Sequence, residues 1–253
     1  MNKIFRYFFL IILNISFFYT QVNTEAIRNN SLENGTFNKI NIDFDYDNID
    51  SNEFLNIKFG YRFDIINSNY STFIQLKYEN GYKNADGIRD VINNKGFCHI
   101  RYTKEFIKNY FFETFSQYEF NDFLKIEDRY LLGLGTRIKF DFKNNNPIYL
   151  GLGIMNEIEK YDSDDDKNLI RSTNYISNNT KINDKTILSN IIYFQIDLAD
   201  ANDFRILYDA SINLETIKNL YLNFGINYRY DNDPHEGFSQ SYTQLLSGIS
   251  YNF

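Results

Sequence analysis

The sequence is poor in cysteine, proline and long apolar runs. Its 253 residues contain one cysteine, Cys98, so no disulfide can form within the chain. Only two prolines are present, Pro147 and Pro234, and neither lies inside an alternating apolar segment. The mean hydropathy of -0.45 excludes a bundle of long apolar helices in a membrane. The formal net charge of -7 argues against a nucleic-acid-binding protein.

The N-terminus carries the one long apolar segment. Two basic residues precede an apolar core over residues 7–19, and small or polar residues lead to Ala26. This order predicts a secretory signal peptide over residues 1–26, followed by a mature domain over residues 27–253. An anchor helix is the alternative, but it needs about 20 apolar residues. The core here is shorter and is interrupted by polar residues, so we expect an exported protein.

Aromatic residues are abundant, with 25 Phe and 21 Tyr, and they occur in an alternating pattern. Over residues 130–142 and 147–161, most even positions are apolar, whereas the odd positions hold the glycines and nearly all the charges. A period of two indicates strands and not helices. The same alternation recurs in about twelve segments, although residues 97–104 show it weakly and residues 169–177 form only a short, poor candidate.

The lengths of the segments and of their connections predict the architecture. Most segments have the roughly 9–11 residues that a tilted strand needs to cross a bilayer. Tight connections are predicted at 66–69, 106–108, 143–146 and 215–217, and longer polar ones at 80–96, 121–128, 162–168 and 231–240. This pattern favours an all-β fold, a transmembrane antiparallel up-and-down β-barrel of about 12 strands after the signal peptide. A soluble sandwich or lipocalin-like barrel also alternates, but export, the even strand number and the loop lengths favour the membrane.

In a membrane barrel the apolar rows face lipid and the charged rows line the interior. The predicted interior-lining residues are Lys58, Arg62, Glu113, Arg137, Lys139, Glu157, Glu159, Arg205 and Arg229. Reversing the hairpin at residues 130–161 would place its charges against lipid, at a cost on the order of 10 kcal/mol. The charges therefore determine the register, and the glycines leave space opposite long side chains. Both signs are present, which favours ion pairs across a narrow barrel over a strongly selective pore.

Catalytic chemistry finds little support in the sequence. The only histidines are His99, which has no serine near it in the sequence, and His235, which lies in a polar loop. A lipase-like site, or a protease site pairing His235 with Asp231 or Asp233, is the weakest of three functional classes. The acidic run at 162–166 lacks the pattern of a known calcium loop. We expect no catalytic residues, no cofactor and no metal.

The pair RYLLGLGTRIKF and YLGLGIMNEIEKY resembles the domain-of-unknown-function 481 family of salt-induced outer-membrane proteins. FFETFSQYEFNDFLKIEDR before it, and NLYLNFGINYRYDNDPHEGFSQSYTQLLSGISYNF at the end, fit the same family over roughly residues 50–253. The resemblance implies an outer-membrane barrel without assigned catalytic residues. The terminal strand ending on Phe253 is similar to the signal by which such barrels engage the barrel-insertion machinery.

Two further functional classes stay open. The first is a structural barrel or a narrow passive solute pore. The second is a surface interaction barrel whose outside loops, chiefly 80–96 and 231–240, bind lipopolysaccharide or a partner. In either class the expected surroundings are outer-membrane lipid and lipopolysaccharide, in the bacterial outer membrane.

Overall fold

Twelve strands account for nearly all of the chain that the structure describes. The computed structural model describes residues 34–49, 52–85, 88–142, 146–161, 166–234 and 239–253. The predicted signal peptide, His235 and residues 162–165 of the acidic run lie outside these ranges. In the described ranges, no helix has the length and apolar character needed to cross a membrane.

The strands follow one another along the chain, with one short 3-10 helix at Asp122–Leu124. Their bounds are β1 Gly35–Ile49, β2 Asn52–Ile66, β3 Tyr70–Ala85, β4 Ile88–Ile107, β5 Tyr110–Asn121, β6 Ile126–Phe140, β7 Ile148–Tyr161, β8 Lys167–Asn183, β9 Thr186–Asp197, β10 Phe204–Ile217, β11 Leu220–Asp231 and β12 Ser241–Asn252.

Each strand pairs antiparallel with the next, and β1 pairs with β12 to close the barrel. The prediction of an all-β, up-and-down barrel of about twelve strands is therefore confirmed. Closure gives every strand two neighbours, which removes the free sheet edges that an open sheet would present.

The barrel has two ends that differ in their connections. We call the end where β1 begins and β12 finishes the terminal end, and the opposite end the loop end. The terminal end holds connections 67–69, 108–109, 141–147, 184–185 and 218–219, and the loop end holds 50–51, 86–87, 122–125, 162–166, 198–203 and 232–240. The longest connection lies at the loop end, but two connections there have only two residues each, so the predicted difference in length is weaker than expected.

Two of the terminal-end turns share one local structure. The segments EFIKN and ETIKN end in Asn109 and Asn219, whose φ angles are 69° and 68°. Asparagine tolerates this left-handed conformation better than most residues. Each Asn backbone N–H donates at 2.9 Å to the carboxylate four residues earlier, that of Glu105 or Glu215. The sequence repeat therefore encodes a repeated tight turn.

The apolar rows lie on the outside of the barrel. On β6, Leu132 is 64% exposed and Leu134 is 52% exposed, whereas Arg129 and Arg137 are buried. Strands β1, β7, β9 and β12 likewise carry exposed large apolar residues. This arrangement is the reverse of a water-soluble barrel, in which apolar side chains fill the interior.

Two sequence-based boundaries were wrong. Residues 80–96 were predicted to form a long loop, but β3 and β4 continue through them as a paired hairpin with a bulge at Gly81/Tyr82. In this hairpin β4 extends past β5, which pairs with it only as far as Lys95, whereas β2 stays paired with β3 as far as Asn84. Residues 169–177 lie within a full strand, β8, which was predicted to be short because polar Ser172 and Asn174 interrupt its outward face.

Candidate functional site

The nine residues predicted to line the interior fall into two groups by burial. The buried ones are Arg62, Glu113, Arg137, Glu157, Glu159, Arg205 and Arg229. The side chains of Lys58 and Lys139 are partly exposed, at 24% and 27%. All nine lie on strand faces opposite to the exposed apolar rows.

The strongest concentration of charge lies near the loop end. We call it the ion-pair cluster, and it comprises Glu119, Arg129, Glu157, Glu159, Arg171, Asp203, Arg205 and Asp231. Glu157 and Glu159 have no exposed surface. A charge removed from water in this way is stable only when it is paired and hydrogen-bonded.

Two glutamates of β7 lie at the centre of the cluster. Glu157 accepts from Arg171 Nε at 2.5 Å and from Arg205 Nη1 at 2.7 Å. Glu159 accepts from Arg129 Nε at 2.6 Å and from the Tyr161 hydroxyl at 2.6 Å. Each carboxylate thus accepts a hydrogen bond from at least one guanidinium group. The arginines also contact further carboxylates.

The outer residues of the cluster extend its contacts over several strands. Arg171 makes two hydrogen bonds to the Asp203 carboxylate, at 2.8 and 2.7 Å. Arg205 Nε donates to Asp231 at 2.7 Å, and Arg129 lies 3.6 Å from Glu119. The contacts run from β5 to β11, and Arg205 on β10 reaches Glu157 on β7. Strands that are not neighbours can meet in this way only through the interior.

A second group of buried charge surrounds Glu113, nearer the terminal end. Glu113 accepts from the Tyr175 hydroxyl at 2.7 Å and from Thr103 at 3.1 Å. Arg101 and Arg137 lie 3.6 and 3.8 Å from its carboxylate. Tyr175 belongs to β8 and Glu113 to β5, so this contact also crosses the interior.

Arg62, Arg229 and Lys58, which were also predicted to line the interior, form three smaller ion pairs. Arg62 donates twice to Asp64, at 2.7 and 2.6 Å, and lies over the ring of Phe73. Arg229 makes a two-point contact with Asp209. Lys58 lies 3.9 Å from Glu79, which Lys95 contacts at 2.9 Å. These contacts pair charges on β2–β4 and on β10–β11 without crossing the barrel.

Lys139 and Asp141 form an exposed pair at the terminal end, 2.8 Å apart. Asp141 lies outside the strands, and the hydrogen bond from the Lys139 ammonium lowers the pKa of this carboxyl below its ordinary value of 3.8. The pair is solvated, and it therefore contributes little to stability.

Glycine and aromatic residues fill the rest of the wall between β5 and β8. Phe115 pairs across the strands with Gly133, and Tyr175 pairs with Gly151. A β-carbon built on either glycine would overlap the partner's ring. The glycines therefore make room for rings that lie flat against the wall, as the sequence pattern indicated.

Some members of the site were missed by sequence reasoning. Asp203 lies in the connection before β10, where no alternation marks it, and it pairs with Arg171 through the fold alone. Tyr161 and Tyr175 were treated as ordinary aromatic residues, although their hydroxyls donate to buried carboxylates. An aromatic residue at an odd, interior position of an alternating strand is the signal that could have identified both.

His99 packs as a structural residue. Its ring stacks at 5.5, 6.0 and 5.6 Å on Phe73, Phe97 and Phe115, and Nδ1 lies 3.2 Å from Gln117 Oε1. Of the acidic run, the structure describes only Asp166, which is exposed. No cluster of three or more potential metal ligands occurs in the described part of the chain.

The fold and the distribution of charge together define the class of protein. A closed antiparallel barrel with an apolar outer surface around a charged interior is the architecture of barrels in the bacterial outer membrane. The chain belongs to the family described as "Protein of unknown function, DUF481", whose model matches residues 55–253.

Comparison with solved structures gave matches at low sequence identity. The translocator domain of the autotransporter NalP from Neisseria meningitidis is 8% identical, with a TM-score of 0.53 over 85% of this chain and 87% of that one. The NanC porin is 9% identical, with a TM-score of 0.47 over 85% and 96% of the two chains. The KdgM porin is 10% identical, with a TM-score of 0.46 over 87% and 99%. A search among curated proteins found no match. The likeness to NalP concerns the fold alone.

Proposed function

We propose that this protein is a narrow outer-membrane barrel that its own ion pairs close near the loop end. In this state it is a structural barrel or a passive pore of very low conductance, and not an open porin. The observation that carries the proposal is the complete burial of Glu157, Glu159 and Arg171 in the middle of the cluster. A water-filled channel beside these side chains would leave part of their surface accessible.

The size of the barrel supports a closed interior. Eight-stranded barrels are filled by side chains, whereas barrels of sixteen strands hold an aqueous channel. Twelve strands lie between these limits, so the side chains decide whether a path exists. Here, long arginine and glutamate side chains from strands that are not neighbours meet inside the barrel, and Arg205 on β10 contacts Glu157 on β7 at 2.7 Å.

The closure does not extend through the whole barrel. On β10 and β11, the interior positions toward the terminal end hold small or amide side chains that are only half-buried, namely Ser211, Asn213, Asn223 and Asn227. This part of the interior has room for water. Loosening the ion-pair cluster would therefore remove the main barrier along the axis.

Conductance in planar bilayers tests the proposal. The wild-type protein should give no steps or rare small ones, and Glu157→Gln should give frequent defined steps because it removes the carboxylate shared by Arg171 and Arg205. Asp231→Asn is a milder variant at the edge of the cluster, and it keeps the test available if Glu157→Gln does not insert. Asp141→Asn, at the exposed terminal end, is the matched control and should behave as wild type.

A large, steady conductance of the wild-type protein would contradict the closed state. Cluster variants that stayed as silent as the control, while migrating as folded barrels on gels, would contradict it equally.

A surface interaction role is a second candidate, favoured by the long β3–β4 hairpin. β4 pairs with β5 only as far as Lys95, so residues 88–94 stand beyond the neighbouring strand. Ile88 and Val91 are 66% and 64% exposed there. This projection could contact lipopolysaccharide or a protein partner.

Replacing residues 82–91 by a tight turn should abolish lipopolysaccharide binding and leave folding intact. Unchanged binding would exclude the hairpin as the contact.

A further inference from the structure

Two lysines in the interior differ from the other cations there. All seven buried arginines contact a carboxylate, and Lys58 and Lys95 both contact Glu79. Lys39 on β1 and Lys77 on β3 are half-buried on the inward face, and neither forms an ion pair or a hydrogen bond with another described residue. Because a cation kept from bulk water is unfavourable without a counterion, these two side chains indicate a negative partner that the chain does not supply.

The carboxylate that acts on Lys39 is already bound. Asp64 is the acid whose charge attracts this lysine, while Arg62 and Lys77 repel it. Both oxygens of Asp64 accept hydrogen bonds from Arg62, at 2.7 and 2.6 Å. The ammonium group of Lys39 therefore stays without a counterion.

The carboxylates that act on Lys77 come from other walls of the barrel and are bound as well. Asp209 of β10 and Asp43 of β1 attract this lysine. Asp209 makes a two-point contact with Arg229. Asp43 also has a partner, and its carboxylate lies against Gly248 on the inner side of β12. The influence of Asp209 shows that the Lys77 side chain reaches into the interior toward β10.

The space beside these lysines is polar and partly accessible. On β1, Asn41 lies opposite Ser250, whose hydroxyl accepts a hydrogen bond from Asn223 at 3.0 Å. Gly60 stands between Asn41 and Lys77 in the register, so no side chain of β2 separates them. We call this space the lysine chamber; its lining consists of the half-buried residues Lys39, Asn41, Lys77, Ser211, Asn223 and Asn227.

A buried amide next to Lys77 also lacks a partner. Gln75 lies two residues before Lys77 on the same face of β3 and is 1% exposed. Its Oε1 atom receives no hydrogen bond within the part of the chain that the structure describes. Most buried polar atoms of side chains do have a partner. A ligand that brings negative oxygens to the lysines and an O–H group to this amide would satisfy both requirements.

We propose that the lysine chamber binds a phosphate dianion between the ammonium groups of Lys39 and Lys77. Hydrogen phosphate carries two negative charges for the two lysines and an O–H group for Gln75. The same chemistry fits inorganic phosphate and the phosphate group of a small ester. The site contains no residue of the ion-pair cluster, so it goes beyond the proposed closure of the barrel and does not depend on it.

Lysine modification in the wild-type protein tests the site without any substitution. Purified barrels in detergent micelles are methylated with formaldehyde and cyanoborohydride, and the modified lysines are located by mass spectrometry. Sodium phosphate should slow the reaction at Lys39 and Lys77 severalfold relative to sodium chloride of equal ionic strength. Lys185 and Lys218, which lie in exposed turns, should react equally in both salts. A parallel sample with glycerol 3-phosphate shows whether a phosphate ester also enters, and glycerol is its neutral control.

Three outcomes of this experiment would overturn the proposal. The first is equal modification of Lys39 and Lys77 in phosphate and in chloride. The second is equal slowing at Lys185 and Lys218, which would indicate screening by salt. The third is a failure of both interior lysines to react in chloride, which would show that the chamber is closed to solutes.

Substitution of the lysines measures their contribution to binding. Lys39→Gln and Lys77→Gln should each weaken the binding of radioactive phosphate in equilibrium dialysis by about tenfold, because each removes one charge-assisted hydrogen bond. Lys77→Arg keeps the charge and should retain most of the affinity. Lys218→Gln removes the same charge from an exposed turn and should bind as the wild type does.

Binding unchanged in both glutamine variants would refute the site, as would an equal loss in Lys218→Gln. These results are independent of conductance, so failure of the phosphate site and failure of the closed state can be told apart.

Discussion

The wall from β6 to β10 and the seam between β12 and β1 are built in opposite ways. In the first region, continuous strand pairing is joined by ion pairs that cross the interior, as between Glu157 and Arg205. In the second, the strands share four pairs, and the interior position Leu246 stays partly exposed. Backbone closure and interior packing are therefore separate properties of this barrel.

The difference between the two regions follows from how much water each one excludes. The cluster has excluded water, so each carboxylate needs a guanidinium or hydroxyl partner within hydrogen-bonding distance. The interior of β10 and β11 keeps half-buried polar side chains, at Ser211, Asn213, Asn223 and Asn227, which water can satisfy. Substitutions should consequently be severe in the first region and mild in the second.

The largest expected effect comes from the centre of the cluster. Glu157→Gln leaves Arg171 and Arg205 buried without their shared charge, and it should lower the free energy of unfolding by about 3–5 kcal/mol. Urea unfolding in detergent micelles, followed by the heat-dependent gel shift of folded barrels, measures this change. The partly exposed Lys139→Gln is the control and should change stability by about 1 kcal/mol or less. Equal effects would show that the cluster is not dehydrated.

A charge introduced on the outer surface should have the next largest effect on stability. The same charge on the interior face should have a smaller effect, so the pair of substitutions distinguishes the two faces. Leu132→Arg places a guanidinium against lipid and should destabilise the inserted barrel by about 2–4 kcal/mol. Leu246→Arg faces the half-open interior beside the seam, so its effect should be clearly smaller. Unfolding from liposomes gives both values. If the two substitutions were equally damaging, the interior near the seam would be as apolar and closed as the lipid face.

Adding a methyl group should distinguish the tight wall from the loose one. Gly151→Ala drives a β-carbon into the ring of Tyr175 and should destabilise the barrel by about 1–3 kcal/mol. Gly225→Ala meets its nearest atom at 3.3 Å, beside Leu246, and should be tolerated better. In a Tyr175→Leu background the effect of Gly151→Ala should shrink, as measured by a double-mutant cycle. An unchanged effect would mean that the ring is not what occupies the space.

The smallest effect is expected at the exposed terminal end. The pKa of Asp141 is lowered by Lys139, so the pair contributes stability above the ordinary carboxyl value of 3.8 and loses it as the pH falls through the lower folded value. Asp141→Asn should therefore alter the urea midpoint slightly at pH 7 and not at all in strong acid. A midpoint shift as large as that of Glu157→Gln would contradict the solvated character of this pair.

Much of the fold could be predicted because lipid enforces the alternation. In strands β1, β2, β6, β7 and β11, apolar and polar residues alternate at most positions, and each forms a strand with the expected face outward. The prediction failed where lipid does not act. In the hairpin at 80–96, β4 runs on beyond β5. The outward Ser172 and Asn174 of β8 make a polar pair that weakens the pattern.

The candidate site was less predictable, since a period of two identifies which side chains share the interior and not which of them meet. Arg205 was expected in the interior, but its simultaneous contacts with Glu157 and Asp231 depend on the curvature and stagger of a closed wall. Asp203 comes from a connection without any pattern, and only the fold brings it to Arg171. The incomplete pairing of β1 and β12 likewise leaves no mark in either strand.

The sequence alone predicted the strand class, a number of about twelve strands and the face that each strand turns to lipid, because a misplaced charge in hydrocarbon is too unfavourable to tolerate. Only the tertiary structure decided which buried charges pair and that four residue pairs of regular register join β1 to β12. These outcomes depend on distances across the interior, which are set by barrel closure and not by any local run of residues.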